Sequence, residues 1–462
     1  MTRGAVWGTV ACHLREGTVT AATTTNKTPL VVAVEMGYGH LRAASAVAER
    51  LGEPVLQADR APLAHGEERK LWQRVRGAYE LTSRLSTLPV VGAPLKWALD
   101  EITSIPQLHP YRDLSAPTRG AAALERLIRR DLGRGLVELL RSSGRPLLTT
   151  FYAPAVLADR AGVERVYCVV TDTDVNRVWA PIDARRTRIQ YLVPAHQAAK
   201  RLRLYGVPAE RITVTGFPLP HELVGGAELT ALKRNLAARV VRLDRDGEFR
   251  REIPEELAHF LGELPREEEG RPPRITFAVG GAGAQAEMAR QFLPSLRRDV
   301  LEGRLRVALV AGVKRRVHRV FQECVHAAGL EGALGQGLEI LHAESMEGYL
   351  AKMNALLAHT DVLWTKPSEM CFFAALGLPL ICASPVGVHE RFNRRWVREA
   401  GAAFKEQEAR FAGEWLADML SEGTLAAAAW AGFMRLPKFG LYRILDALGV
   451  APPARERRTA GR

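Results

Sequence analysis

Apolar runs of strand length alternate with longer helical stretches along this chain, and they do so in two successive series. The first series is LVVAV at 30–34, PLLTTF at 146–151, RVYCVV at 165–170, RIQYLVP at 188–194 and RITVTG at 211–216. After a charged stretch come RITFAVGG at 274–281, LRVALVAG at 305–312, LEIL at 338–341, DVLWTK at 361–366 and LPLICAS at 378–384. Such alternation implies parallel sheets wrapped by helices, here twice over. The expected fold class is therefore α/β, with two doubly wound Rossmann-like parallel-sheet domains facing across a cleft. A chain of 462 residues can bury two such cores without metal or disulfide staples.

The expected organisation follows from these runs and from the composition between them. Residues 1–28 read as a disordered extension, 29–220 as the N-terminal domain and 274–430 as the C-terminal domain. Between the domains, 221–273 is rich in charge and closes on Pro265, Pro272 and Pro273, so it reads as a solvated helical insertion plus linker without chemistry of its own. Helices over 431–450 have a possible path back to the first domain, and 451–462 reads as a disordered tail. Five cysteines form no CxxC pair, and no His cluster has zinc spacing, which suits reduced thiols in a cytoplasmic protein. The net charge of +13 suits an anionic partner such as phosphate, nucleic acid or an acidic membrane surface, although arginine-rich composition also has a genomic cause.

Five segments carry candidate chemistry. LVVAVEMGYGHLRAASAVA (30–48) reads as a buried strand, a glycine turn and a helix, placing Gly37, Gly39 and His40 where backbone can approach a ligand and a histidine can take a proton. AVGGAGAQ (278–285) repeats the strand-to-glycine-turn pattern; Gly280, Gly281, Gly283 and Gln285 either cradle a phosphate or close a structural turn. In DVLWTKPSEMCFFAALGLP (361–379) a strand ends at Lys366, Ser368 is a natural N-cap, and Glu369 either faces the ligand crevice or stabilises the first helical turn. PVGVHERFN (385–393) groups His389, Glu390 and Asn393 at a helix start as a hydroxyl-binding set or a capping cluster. Finally, VVTDTDVNRVWAP (169–181) puts Asp172 and Asp174 at a strand end; their DxD spacing occurs at metal sites of single-sheet transferases, and the two-domain pattern argues for an acceptor-side carboxylate instead.

Taken in order, these segments resemble the GT-B glycosyltransferases, in the branch of monogalactosyldiacylglycerol synthase, the processive diacylglycerol glucosyltransferases and the lipid II GlcNAc transferase. GYGHLRAASAVA is similar to that branch's glycine–histidine turn, YLVPAHQAAKRLRLYGVPAERITVTGFPL (191–219) to its lipid-glycosylating members, and ALGLPLICASPVGVHERFNRRWVREAGAA (375–403) to its donor segment. The stretch from Lys366 to Gly377 departs from the family pattern: it is shorter, lacks both expected glycines, and aligns Phe372 with the helical glutamate, leaving Glu369 as its substitute.

The resemblance implies an inverting, metal-independent transfer from a UDP-sugar to a lipid or membrane-linked acceptor. His40 and Asp172 become the catalytic candidates; Gly37, Gly39, Gly280, Gly281, Gly283, Gln285, Lys366, Ser368, Glu369, His389, Glu390 and Asn393 become donor or phosphate contacts. No cofactor is expected, the nucleotide sugar being a substrate, and no nucleic-acid partner. Amphipathic helices over 69–103 then suit an anionic membrane surface, with Trp72, Arg74, Arg76, Tyr79, Arg84 and Trp97 at the interface, although ordinary packed helices would show the same pattern. Location would be cytoplasmic, peripheral to the inner face of the membrane. Two other readings are a nucleotide-sugar epimerase or hydrolase of the same fold, and a degenerate member that binds a nucleotide or lipid as a scaffold.

Overall fold

A computed structural model describes residues 28–73, 77, 105–266, 270–280, 283, 285–385 and 387–450. Gly281, Arg74, Arg76, Tyr79, Arg84 and Trp97 lie outside the described residues, as do the expected disordered tail and all but the last residue of the expected extension.

The first sheet contains β1 (Leu30–Ala33), β2 (Val55–Gln57), β3 (Leu147–Thr149), β4 (Val166–Val169), β5 (Ile189–Val193) and β6 (Ile212–Val214), in the order β2-β1-β3-β4-β5-β6. The second contains β7 (Arg274–Ala278), β8 (Arg306–Gly312), β9 (Leu338–His342), β10 (Val362–Thr365), β11 (Leu380–Cys382) and β12 (Ala403–Lys405), in the order β12-β11-β10-β7-β8-β9. Every pairing is parallel. The molecule is thus two doubly wound Rossmann-like domains, the GT-B arrangement. Each sheet reverses its direction of winding once, between β1 and β3 in the first and between β7 and β10 in the second. Loops leaving neighbouring strands diverge there, and a crevice forms at the strand C-termini.

Helix α1 (Tyr38–Leu51) follows β1 and α2 (His196–Leu204) follows β5. The region read as a solvated insertion contains α3 (Thr230–Arg242), which is no surface helix. Its Leu232, Leu236 and Val240 belong to the second-domain core. Arg239, 2% exposed, donates to the carbonyls of Thr360 at 3.0 Å, Leu376 at 3.0 Å and Gly377 at 2.9 Å. The charge of Arg239 is spent on buried carbonyls on either side of β10 in the chain, a pairing that local composition does not reveal. Later in the chain come α4 (Met346–Ala358), α5 (Val388–Glu399) and α6 (Gly440–Ala447). Leu441, Ile444 and Leu445 of α6 pack with Val31 and Ala33 of β1 and with Leu41, Ala44 and Val47 of α1, so α6 returns to the first domain.

Among the described residues no helix is long and apolar enough to cross a membrane. Trp72 is 2% exposed and sits in the first-domain core with Leu63, Leu136 and Phe151, so its indole packs inward instead of meeting a membrane.

Candidate functional site

His40 occupies the first-sheet switch point, on the opening turn of α1. Gly37 precedes it with φ +131°, a region that favours glycine, and this turns the chain from β1 into the helix. The His40 Nδ1 lies 2.7 Å from the carbonyl of Thr150, just beyond β3, and 3.2 Å from Oγ1 of Thr171, just beyond β4. In return Thr150 Oγ1 donates to the His40 carbonyl at 2.9 Å. A carbonyl only accepts, so Nδ1 carries the hydrogen and Nε2 is the basic nitrogen. The Phe151 ring stands edge-on at 5.0 Å. Burial holds the imidazole below its ordinary pKa, Asp172, the Thr150 carbonyl and Glu369 pull the other way, and His389 adds to the lowering. Two of those charges, Glu369 and His389, come from the second domain.

At the second switch point the loop after β7 meets the end of β10. Gly283 N–H donates to the Gly280 carbonyl at 2.8 Å, and Gln285 donates its side-chain amide to the Ser384 carbonyl at 2.9 Å. A Cβ on Gly280 would collide with the Lys366 side chain, so the lysine lies directly over the glycine turn. Its Nζ is 2.6 Å from Oε1 of Glu390, which is 1% exposed and also accepts from the Gly387 N–H at 3.4 Å. Burial works against the lysine's charge, but Glu390, Glu369 and Asp172 outweigh it and raise its pKa. Glu390 is therefore the counter-ion of Lys366 and the cap of α5, with its carboxylate already engaged.

Ser368 makes no capping bond from its side chain, and the segment it introduces is a 3-10 helix over Glu369–Leu376. Phe372 in that segment is buried and stacks on Phe217 at 4.7 Å and 8° between ring planes, filling the expected carboxylate position with a core contact. Glu369 instead lies against α1: a Cβ on Gly39 would stand 2.9 Å from its Cβ, so the glycine admits the glutamate's domain.

The two switch points face each other, with the opening of α1 inserted into the second domain. Tyr38 accepts from the Val313 N–H at 3.3 Å and packs on Tyr349 at 4.8 Å. Arg42, 2% exposed, donates to Asn354 Oδ1 at 3.1 Å and to the Tyr349 hydroxyl at 3.3 Å, and its guanidinium covers the Phe373 ring. Asn393 closes the second contact. Its Oδ1 accepts from the Thr173 N–H at 2.9 Å and hydroxyl at 2.8 Å, and its Nδ2 donates to Asp172 Oδ1 at 2.9 Å. An asparagine read as a sugar ligand is thus an interdomain bridge, 0% exposed and fully engaged in this closed arrangement.

Asp174 takes no part in the cleft. It forms a buried two-bond pair with Arg201 of α2, 2.9 Å on each side, and accepts from Gln197 at 2.9 Å. The DTD carboxylates are split between cleft and core, so they do not converge on one point. Sequence reasoning brought His40, Asp172, Lys366, Glu369, His389 and Glu390 to this crevice, but assigned no role to Tyr38, Arg42, Thr150 and Thr173.

No family model matches the chain, and no curated protein matches its sequence. Solved structures similar to it include MurG of Acinetobacter baumannii, at 13% identity over 92% of this chain and 100% of that one, with a TM-score of 0.46. Also similar are UDP-GlcNAc 2-epimerase from Neisseria meningitidis bound to UDP-GlcNAc, at 10% identity over 91% and 99% with a TM-score of 0.46, and the glycosyltransferase SnogD from Streptomyces nogalater, at 15% over 90% and 98% with a TM-score of 0.41. Likeness at this level assigns neither ligand nor residue roles, and both rest on the geometry above.

Proposed function

We propose that the protein transfers a sugar from a UDP-sugar to a lipid or membrane-linked hydroxyl acceptor, with inversion at the anomeric carbon. The observation that carries this is the tautomer of His40, fixed by the Thr150 carbonyl so that a neutral, basic Nε2 stands at one switch point opposite a lysine and a glycine turn at the other. The acceptor oxygen attacks the anomeric carbon as the bond to the β-phosphate oxygen breaks, His40 Nε2 takes the hydroxyl proton, and UDP leaves with the electron pair. Lys366, lying over Gly280, meets the growing charge on the diphosphate, which is the reason no metal is invoked. Asp172, held by Asn393, steadies the imidazolium that forms. The acceptor class rests on the resemblance of 191–219 to lipid-glycosylating enzymes and on the net charge of +13.

An epimerase or hydrolase of nucleotide sugars is the second reading. It is favoured by one observation, the gathering of Asp172, Glu369 and His389 within electrostatic reach of His40, more acid and base groups than a single proton transfer uses. UDP release from a panel of UDP-sugars, with and without a hydroxyl-bearing lipid, separates the two. Transfer requires UDP release that depends on the lipid and is lost in His40→Ala, whereas acceptor-independent release, or deuterium uptake into the sugar from heavy water, contradicts it.

A further inference from the structure

Beside the Asn393 bridge, the domains enclose a cavity of about 480 Å³ that none of the candidate donor contacts uses. One wall is first-domain chain, with Ile105 and Leu108; the other is the outer face of α5, with Phe392 and Trp396. Its floor includes Thr173, 1% exposed. At the rim stands Arg395, exposed and paired with Glu399 at 2.7 Å. The volume falls within the range of roughly 300–1,000 Å³ typical of small-molecule sites. Four apolar side chains contributed by two domains suit an aliphatic or aromatic body, while Gln107, His109 and Gln197, with the Arg395–Glu399 pair, give the same lining polar groups that suit a hydroxyl-bearing end.

The cavity's place in the chain connects it to the chemistry. Thr173 forms the floor and Thr171 touches His40 Nδ1 at 3.2 Å. Residues two apart have Cα atoms within about 7 Å, so the cavity floor lies one short stretch of chain from the His40 ring, and an acceptor hydroxyl has to extend past Thr171 to meet Nε2 on the ring's other side. The aromatic wall is also braced from the donor side, because Trp396 packs on Phe372 at 5.3 Å and Phe372 stacks on Phe217.

We propose that this cavity holds the apolar body of the acceptor, an aliphatic or aromatic molecule ending in a hydroxyl, and that the second domain supplies half of the site. This rests on the transferase reading above. It moves part of acceptor recognition away from the first domain, to which the sequence assigned all of it, and it makes the acceptor site complete only when the domains meet.

The test uses 8-bromo-1-octanol as a probe, since bromine quenches nearby indole emission, together with calorimetric titration of UDP on the same proteins. Saturable quenching is expected in the full chain; it should largely disappear in Trp396→Phe despite the seven tryptophans that remain of eight. In Leu108→Arg, which keeps the reporter but places a charge in the cavity, half-saturation should rise at least about tenfold while UDP affinity stays within about twofold. Quenching indifferent to both substitutions, in a protein that binds UDP normally, overturns the cavity assignment alone. The expected quenching pattern in a protein that binds no UDP overturns the acceptor role together with the reading on which it rests.

Discussion

His40 is oriented by a carbonyl instead of a carboxylate, which decides its tautomer, while burial decides the direction of its titration. Burial lowers its pKa while Asp172 raises it, so the imidazole stays neutral, and basic, to pH values below its ordinary 6.5. The acid limb of kcat/KM for UDP-sugar turnover is therefore expected below that value. Asp172→Asn removes a charge that favours the imidazolium, so the limb should move further down in pH; an upward move or no move would contradict the proposed electrostatic role. A histidine after a glycine turn was legible in the sequence. Its partner Thr150 was not, because a backbone carbonyl at the end of a neighbouring strand leaves no mark on residue identity. Asn393 shows the reverse case: the residue was singled out as a hydroxyl-binding group, and only the assembled fold shows that its amide is spent on Thr173 and Asp172.

Strands with several apolar branched residues were readable one by one, as LVVAV and LRVALVAG were, because burial on both faces leaves a continuous apolar signature. The two strands missed, Val55–Gln57 and Ala403–Lys405, are three-residue strands on the outer edges of the sheets, where pairing to a neighbour does more than side-chain pattern to define them. Likewise Ser368 looked like an α-helix cap, yet the compressed segment after it closes as a 3-10 helix so that Phe372 can reach Phe217. Helix α6 offers a test at this level. Gly440 abuts the backbone of Gly216 and Phe217 so closely that a Cβ would collide with the Phe217 carbonyl. Gly440→Ala should cost about 1–3 kcal/mol of stability through overpacking, read from the urea midpoint, and an unchanged midpoint would show that α6 docks loosely.

At the scale of the molecule, the domains meet through Tyr38 and Arg42 on one side and Asn393 on the other, and the crevice with both switch points lies between. The two-domain architecture was legible from the repeated alternation of runs; the closed state was not, because contacts separated by some 220 to 310 positions depend on the final packing. If a nucleotide sugar enters this crevice as proposed, the Asn393 bridge across it is expected to open. Asn393→Ala removes three hydrogen bonds across the boundary, so the radius of gyration in solution scattering should rise in the unliganded protein and fall again with UDP-sugar. A radius unchanged by the substitution would contradict a closing role for Asn393 and leave the closure to the other contacts, Tyr38, Arg42 and the Phe217–Phe372 stack among them.

The most direct measurement is a calorimetric titration with UDP of the full chain and of Lys366→Met made in a Glu390→Gln background, where no buried carboxylate is left without its partner. If the crevice between the two switch points is a nucleotide diphosphate site, the unmodified protein binds UDP saturably at one site, and the paired substitution weakens binding by at least about tenfold without lowering the melting temperature enough to unfold the protein. Absence of binding, or binding of equal strength in the substituted protein, would contradict the placement of the donor over Gly280 and Lys366.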